Sequence, residues 1–216
     1  MVRNNFDQEL EDLKQDLLKM GSMVEEAIYK AVTSLKEQDV ELAKEVMTED
    51  DQIDECEIEI EKKCIRLIAL QQPVARDLRT IGMISKIITD LERMGDYSFN
   101  IAKITITIAD KPLIKPLIDI PKMTEITREM VKECLDAFVN LDIEKAEKVA
   151  KMDEKVDEFD DQILRELLTY MMEDPSTISQ ATCLIFASRY LERIADHTTN
   201  ICERIIYMVT GERVSF

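Results

Sequence analysis

The chain has 216 residues, and its 28 Lys and Arg residues against 45 Asp and Glu residues give a formal net charge of −17. A surface this acidic repels the phosphate backbone of DNA and RNA, which argues against a nucleic-acid partner. Hydrophobic residues make up 45% of the chain, too many for a disordered acidic tail. With 5% aromatic residues, four Gly and no Trp, the composition argues against a β-sandwich or barrel and predicts an all-α protein.

The Cys residues and the N-terminal sequence bear on the cellular compartment. The five Cys residues are odd in number and show no CxxC spacing, so we expect neither a disulfide framework nor a thiolate zinc site. The N-terminal sequence MVRNNFDQELEDLKQDL carries acidic residues where a signal peptide needs an apolar core. No apolar run approaches the ~20 residues that span a bilayer. We therefore expect a cytoplasmic protein without direct membrane insertion.

Prolines divide the chain into helical stretches. Pro73 and Pro175 each separate two stretches in which apolar residues recur every three or four positions. The segment 111–121 contains three prolines, and we predict a linker there because proline interrupts helices. The predicted helices span about residues 7–36, 40–70, 75–108, 123–140, 143–172 and 177–210. Six long antiparallel helices joined by short turns predict two tandem three-helix bundles. The predicted domains are residues 1–110, the linker 111–121 and residues 122–216.

An internal repeat relates the two halves of the chain. The third helix reads DLERMGDYSFNIAK over residues 90–103, and the sixth reads YLERIADHTTNICE over residues 190–203. A weaker match relates EDDQIDECE at 49–57 to MDEKVDEFD at 152–160. The chain is therefore predicted to contain two copies of one three-helix unit.

The repeat carries four matched carboxylates in each half. They are Asp50, Asp54, Glu92 and Asp96 in the first half, and Asp153, Asp157, Glu192 and Asp196 in the second. In each half the four carboxylates form two pairs, and the members of a pair are four residues apart on one helix face. Like charges at this spacing destabilise an isolated helix by roughly 0.2–0.5 kcal/mol per pair. A bound cation would offset this repulsion, and carboxylate oxygens suit Mg²⁺, Mn²⁺, Ca²⁺ or iron. The alternative is a solvated acidic face that residues such as Arg93 and Arg193 neutralise.

Three residues of the third and sixth helices, His197, Gly82 and Gly95, are predicted to have structural rather than metal-binding roles. His197 follows Asp196 directly, so on a helix its side chain points ~100° away from that carboxylate, and we do not expect it to be a metal ligand. Gly82 and Gly95 lie inside the third helix, where each costs ~1 kcal/mol relative to Ala. We expect that both glycines allow a neighbouring helix to approach closely.

The start of the third helix carries the basic residues Arg76 and Arg79. An anion could bind there, because the N-terminal end of a helix has a positive partial charge. Asp77 lies between the two arginines, however, and this favours surface charge balance instead. The second half has no counterpart of this basic feature.

The helix order and three segments resemble the PhoU family of phosphate-signalling regulators. The segments are QQPVARDLR (71–79), LERMGD (91–96) and LERIAD (191–196), and the resemblance covers essentially the whole chain. It implies two three-helix bundles related by approximate twofold symmetry. It also implies (E/D)xxxD motifs, which in some members of the family hold surface clusters of iron or other metal ions. Those motifs fall on Asp50/Asp54, Glu92/Asp96, Asp153/Asp157 and Glu192/Asp196.

The resemblance also implies a function and partners. PhoU-like proteins act with the ATPase subunit of an ABC phosphate importer and with a sensor histidine kinase, and they repress phosphate uptake and the phosphate-starvation response. They are not enzymes and are often homodimers, and the expected cofactors are iron, manganese, magnesium or zinc ions bound by carboxylates. Two alternatives are a metal-free helical interaction protein and a carboxylate-bridged metalloenzyme.

Overall fold

The computed structural model describes the backbone of residues 2–216 and the side chains from Phe6 onward. The first residue of the predicted repeat 1–110 therefore lies outside the described residues. The described chain contains helices and no strand, which confirms the all-α prediction. The helices are α1 (Val2–Glu37), α2 (Val40–Gln71), α3 (Ala75–Ile108), α4 (Asp119–Asn140), α5 (Ile143–Ala150), α6 (Asp153–Glu173) and α7 (Ile178–Thr210), with a short 3-10 turn at Pro175–Thr177 before α7.

Matched caps begin the second helix of each half. Asp39 accepts hydrogen bonds from the backbone N–H groups of Glu41 and Leu42, and Asp142 accepts one from Lys145. These caps satisfy N–H groups that have no partner inside the helix. At the other end of the chain, Gly211 adopts a left-handed conformation with φ of 80° and ends α7.

Two helix boundaries in the second half of the chain differ from the prediction. The predicted helix 143–172 is divided into α5 and α6 by a turn at Lys151 and Met152. Both residues keep right-handed helical angles, so the chain continues in the same general direction, and α5 and α6 together replace one predicted helix. Helix α4 begins at Asp119 and includes Pro121, whose missing N–H costs little in the first turn of a helix.

The two three-helix bundles consist of α1–α3 and α4–α7, and they pack tightly against each other. Helix α3 contacts α7 extensively, and α1 contacts α4. Across the α3–α7 contact, Asp90 reaches Arg204 whereas Tyr97 stacks on Tyr190, so the two helices are antiparallel. Since α3 and α7 also occupy equivalent places in the repeat, the bundles are related by a pseudo-twofold axis.

The glycines of α3 differ in their surroundings. A Cβ atom on Gly95 would lie 3.2 Å from Oδ1 of Asp50 and 3.2 Å from a methyl carbon of Ile53, so Gly95 does allow α2 to approach. A Cβ atom on Gly82 would have no neighbour within 4 Å. The expectation of close packing is therefore wrong for Gly82.

None of the helices from residue 2 onward is both long and apolar enough to cross a lipid bilayer.

Candidate functional site

Helices α2 and α3 bring the first set of predicted carboxylates together. This first acidic cluster consists of Asp50, Asp54, Glu57, Glu92 and Asp96. The absence of a Cβ atom at Gly95 lets the half-buried Asp50 side chain lie against α3. Further along the same groove, the Thr89 hydroxyl donates a hydrogen bond of 2.8 Å to Glu57. The cluster therefore spans two helices rather than one solvated helix face.

The proton affinities of the first cluster show that its carboxylates affect one another. Burial raises the pKa of Asp50 to about 6, and the charges of Asp54 and Asp96 add to the effect. Burial, together with the charge of Asp96, raises the pKa of Glu92 to about 7. The pKa of Asp54 is also raised, by partial burial and by Asp96. Negative charge is therefore unfavourable here unless a proton or another cation compensates it.

Helices α6 and α7 form the equivalent second acidic cluster, which consists of Asp153, Asp157, Asp160, Glu192 and Asp196. Burial raises the pKa of Asp153 to about 7, with further contributions from Asp157, Asp196 and Glu192. Burial is also the main cause of the raised pKa values of Asp157 and Glu192, and Asp196 adds to both. Oδ1 of Asp153 is buried and accepts no hydrogen bond.

The second cluster contains a cation that the first lacks. Arg189 lies 3.1 Å from Oδ2 of Asp160 and donates a 3.1 Å hydrogen bond to Oε1 of Glu192. The equivalent position in the first half is Thr89, which carries no charge. The second cluster is thus partly neutralised by the protein itself. Arg189 is not among the residues predicted from the sequence; the repeat at an offset of 100 residues shows only that it stands opposite Thr89, not that it contacts Asp160.

An arginine borders each cluster on its solvent side. Arg93 donates a 3.0 Å hydrogen bond to Asp96, and its Nε lies 3.5 Å from Glu92. Arg193 repeats this arrangement with Asp196 at 3.1 Å and with Glu192 at 3.4 Å. Both arginines are about half exposed, so each can turn away without leaving a buried charge.

The clusters offer the right donor atoms for a hard metal ion but not a finished coordination shell. Among the described residues, no three His, Cys, Asp or Glu side chains form a group that could hold a metal ion as they stand. Carboxylate oxygens suit Mg²⁺, Mn²⁺ or iron, and the unpartnered buried oxygen of Asp153 could become a ligand after small side-chain rotations. Metal binding by the eight predicted carboxylates therefore stays a prediction.

The contact between the bundles contains a buried ionic network that the sequence did not reveal. The Asp90 side chain is 6% exposed; its Oδ2 accepts a 2.6 Å hydrogen bond from Nε of Arg204, and its Oδ1 lies 3.0 Å from Nδ1 of His197. Tyr97 packs beside His197, with their ring centroids 5.8 Å apart. His197 therefore helps to join the bundles.

Comparison with known proteins supports the same architecture. The PhoU domain matches the chain twice, over residues 17–105 and 120–205. The phosphate-specific transport system accessory protein PhoU homolog of Clostridium acetobutylicum is 44% identical over 215 residues, which cover 99% of this chain and 98% of that protein. The homolog from Aquifex aeolicus is 49% identical over 206 residues, covering 95% and 93% of the two chains.

Solved structures agree with these sequence matches. The crystal structure of PhoU from Pseudomonas aeruginosa superposes with a TM-score of 0.92 at 42% identity, covering 96% of this chain and all of that chain (100%). The phosphate transport system regulatory protein PhoU from Streptococcus pneumoniae gives a TM-score of 0.91 at 34% identity, covering 98% and 100%. With a domain match in each half and relatives that span nearly the whole chain, this protein belongs to the PhoU family.

Proposed function

We propose that this protein regulates phosphate uptake as a non-enzymatic, metal-binding adaptor between the ATPase subunit of an ABC phosphate importer and a sensor histidine kinase. The role in phosphate transport is supported by full-length relatives that are named phosphate-specific transport system accessory proteins. The observation that carries the adaptor mechanism is the pair of acidic clusters, one in each bundle. Their raised pKa values indicate a charge that a bound cation would compensate.

In this proposal the residues of the protein have defined tasks. The eight predicted carboxylates bind metal ions, which supply positive charge for contact with acidic groups of a partner. Arg93 and Arg193 occupy the cluster edges and move aside when an ion binds. The rigid contact between α3 and α7 holds the two clusters at a fixed separation. The protein acts in the cytoplasm as a homodimer.

The role in phosphate uptake is tested in cells that lack the gene. In phosphate-rich medium, we expect deletion to raise phosphate uptake and a phosphate-starvation reporter, and the wild-type gene to restore repression. Uptake and reporter activity that are unchanged by deletion would contradict the regulatory role.

The adaptor mechanism is tested by a pull-down from phosphate-replete cells. We expect the charge-reversed variant Glu92→Lys/Glu192→Lys to lose the importer ATPase and the kinase. The matched control is Glu55→Lys/Glu158→Lys, which makes the same charge change at exposed positions of α2 and α6 outside the clusters. Equal recovery of partners by both variants would show that the clusters do not matter for partner binding.

A second candidate is a metal-free helical interaction protein, favoured by the ion pairs of Arg93, Arg189 and Arg193 within the clusters. Elemental analysis of protein purified without chelator distinguishes the two. The metal-binding proposal predicts stoichiometric metal in the wild-type protein and a loss in Glu92→Gln/Glu192→Gln. The second candidate predicts no stoichiometric metal in either.

A further inference from the structure

A small basic cavity lies at the contact between α3 and α7, outside both acidic clusters. Its volume is about 170 Å³, enough for several water molecules at ~30 Å³ each. The lining residues come from α3, from α7 and from the segment that follows α7. They are Met83, Lys86, Glu203, Arg204, Tyr207, Arg213 and Val214.

The cations of this cavity have donor groups that no described protein acceptor uses. Of the described carboxylates, none forms an ion pair with Lys86 or Arg213, and the Arg213 guanidinium instead lies 5.9 Å from the centre of the Tyr207 ring. Arg204 uses Nε to bind Asp90, and its two Nη groups donate to no described protein acceptor. Three cations with unused donors around one cavity are unexpected in a chain with a net charge of −17, where an acidic side chain is usually close by.

Two nearby negative groups have contacts of their own. The C-terminal end of α7 carries a negative partial charge, but the Arg79 guanidinium packs over Gly211 at that end, 3.7 Å from where a Cβ atom would stand. Glu203 also lines the cavity, and its Oε1 accepts a 3.1 Å hydrogen bond from the backbone N–H of Phe216. This bond holds the segment 212–216 against α7 and keeps Arg213 at the cavity.

We propose that this cavity binds a free tetrahedral oxyanion, for which inorganic phosphate is the probe. Lys86 and the Nη groups of Arg204 bind the anion from the helices, and Arg213 closes over it from the segment 212–216. Charge-assisted hydrogen bonds from arginine and lysine are the strong contacts that proteins use for such anions. The site lies apart from the two acidic clusters and does not depend on a metal ion in them.

The test is calorimetric titration of the full-length, chelator-treated protein with inorganic phosphate. We expect saturable 1:1 binding that weakens about tenfold in each of the variants Lys86→Gln and Arg213→Gln, since each removes a charged donor. Both positions are exposed, so the variants should fold. The matched control is Lys103→Gln, which removes an exposed, unpaired lysine from the same helix and should leave the affinity unchanged.

Other results would overturn the proposal. If Lys103→Gln weakened phosphate binding as much as Lys86→Gln, the affinity would depend on the overall charge of the protein rather than on this cavity. If binding disappeared on removal of metal from the wild-type protein, or in Glu92→Gln, the anion would sit on a metal ion in an acidic cluster. Hydrogen exchange gives an independent readout: phosphate should slow exchange of the Phe216 amide, and unchanged exchange at saturation would contradict the role of the segment 212–216.

Discussion

At the level of single residues, the acidic clusters store unfavourable electrostatic energy. Asp50 and Glu92 have pKa values raised to about 6 and about 7, respectively, because burial removes water and neighbouring carboxylates add like charge. A carboxylate with a raised pKa holds a proton in the folded chain at a pH where the unfolded chain has released it. The linkage between protonation and folding then fixes how stability depends on pH.

The metal-free protein should become less stable as pH rises from about 4.5 to about 7. The pKa of Glu92 is near 4.5 in the unfolded chain and about 7 in the folded one. Its favourable contribution to the free energy of unfolding is therefore complete below pH 4.5 and is lost as the pH rises to about 7. Glu92→Gln should therefore stabilise the metal-free protein at pH 8 by about 1 kcal/mol, less than the full pKa shift implies because the cluster is open to solvent.

Urea unfolding at pH 4.5 and pH 8 measures this effect. Glu55→Gln is the matched control, since Glu55 is an exposed residue of α2 outside the cluster and should change stability little at either pH. A Glu92→Gln variant that is destabilised at pH 8 in the presence of chelator would show that the carboxylate is favourable without a cation.

In the proposed metal-binding mechanism, the two clusters should differ in metal affinity, because the second contains Arg189 where the first has the uncharged Thr89. Arg189 contacts two carboxylates of the second cluster, whereas Thr89 brings no charge to the first. We expect Arg189→Thr to raise the Mn²⁺ affinity of the second cluster about tenfold, because a positive charge within a few ångströms repels the ion.

The reciprocal variant Thr89→Arg should weaken Mn²⁺ binding at the first cluster by a similar factor. Calorimetric titration with Mn²⁺ would resolve a stronger and a weaker site in the wild-type protein. Affinities that do not respond to either exchange would show that Arg189 does not compete with the metal ion.

At the level of helices, α3 illustrates how neighbours decide the effect of a residue. Its two glycines have the same intrinsic cost in a helix, but only Gly95 faces a packed neighbour. The equivalent position in α7 is Ala195, and it is fully buried. Helix propensity can therefore be improved at Gly82 without a packing penalty.

Gly82→Ala should raise the free energy of unfolding by about 0.5–1 kcal/mol, because alanine removes backbone freedom from the unfolded chain. Gly95→Ala makes the same chemical change, but its methyl group would press on Asp50 and on the buried Ile53. It should be less stable than Gly82→Ala by about 1 kcal/mol or more. Denaturant unfolding of both variants measures the difference, and equal stabilities would contradict close packing at Gly95.

At the level of the whole molecule, the two bundles are joined by contacts of different burial. The Asp90–Arg204 pair between α3 and α7 has a carboxylate that is 6% exposed. The Glu25–Arg128 pair between α1 and α4 has an N···O distance of 3.0 Å, but its side chains are 28% and 30% exposed. Removing the buried Asp90 leaves its partners without the acceptor that water cannot replace, whereas water reaches both members of the partly exposed Glu25–Arg128 pair.

Asp90→Ala should lower the free energy of unfolding by about 3 kcal/mol or more, because Arg204 and His197 lose their shared acceptor. Glu25→Ala, which also breaks a contact between the bundles, should cost less than about 1 kcal/mol. Chemical unfolding measures both values. Similar losses in the two variants would show that burial does not control the strength of these contacts.

The candidate site was partly predictable from sequence. The spacing of the carboxylates and their repetition indicated which side chains share a face, because helix geometry relates sequence spacing directly to direction. The same information did not reveal that Arg189 enters the second cluster, since that contact joins α7 to α6. Nor did it distinguish Gly82 from Gly95, whose neighbours lie far away in the chain.

The sequence by itself determined the helical class, the main interruptions at proline, the twofold repeat and the identity of the acidic positions. These properties are local or periodic, so a single chain records them without knowledge of its neighbours. Only the tertiary structure decided that α3 and α7 run antiparallel across a buried Asp90 network, and that Lys86, Arg204 and Arg213 surround one cavity. Such contacts depend on how helices pack in three dimensions, and packing between distant segments leaves no regular spacing in the sequence.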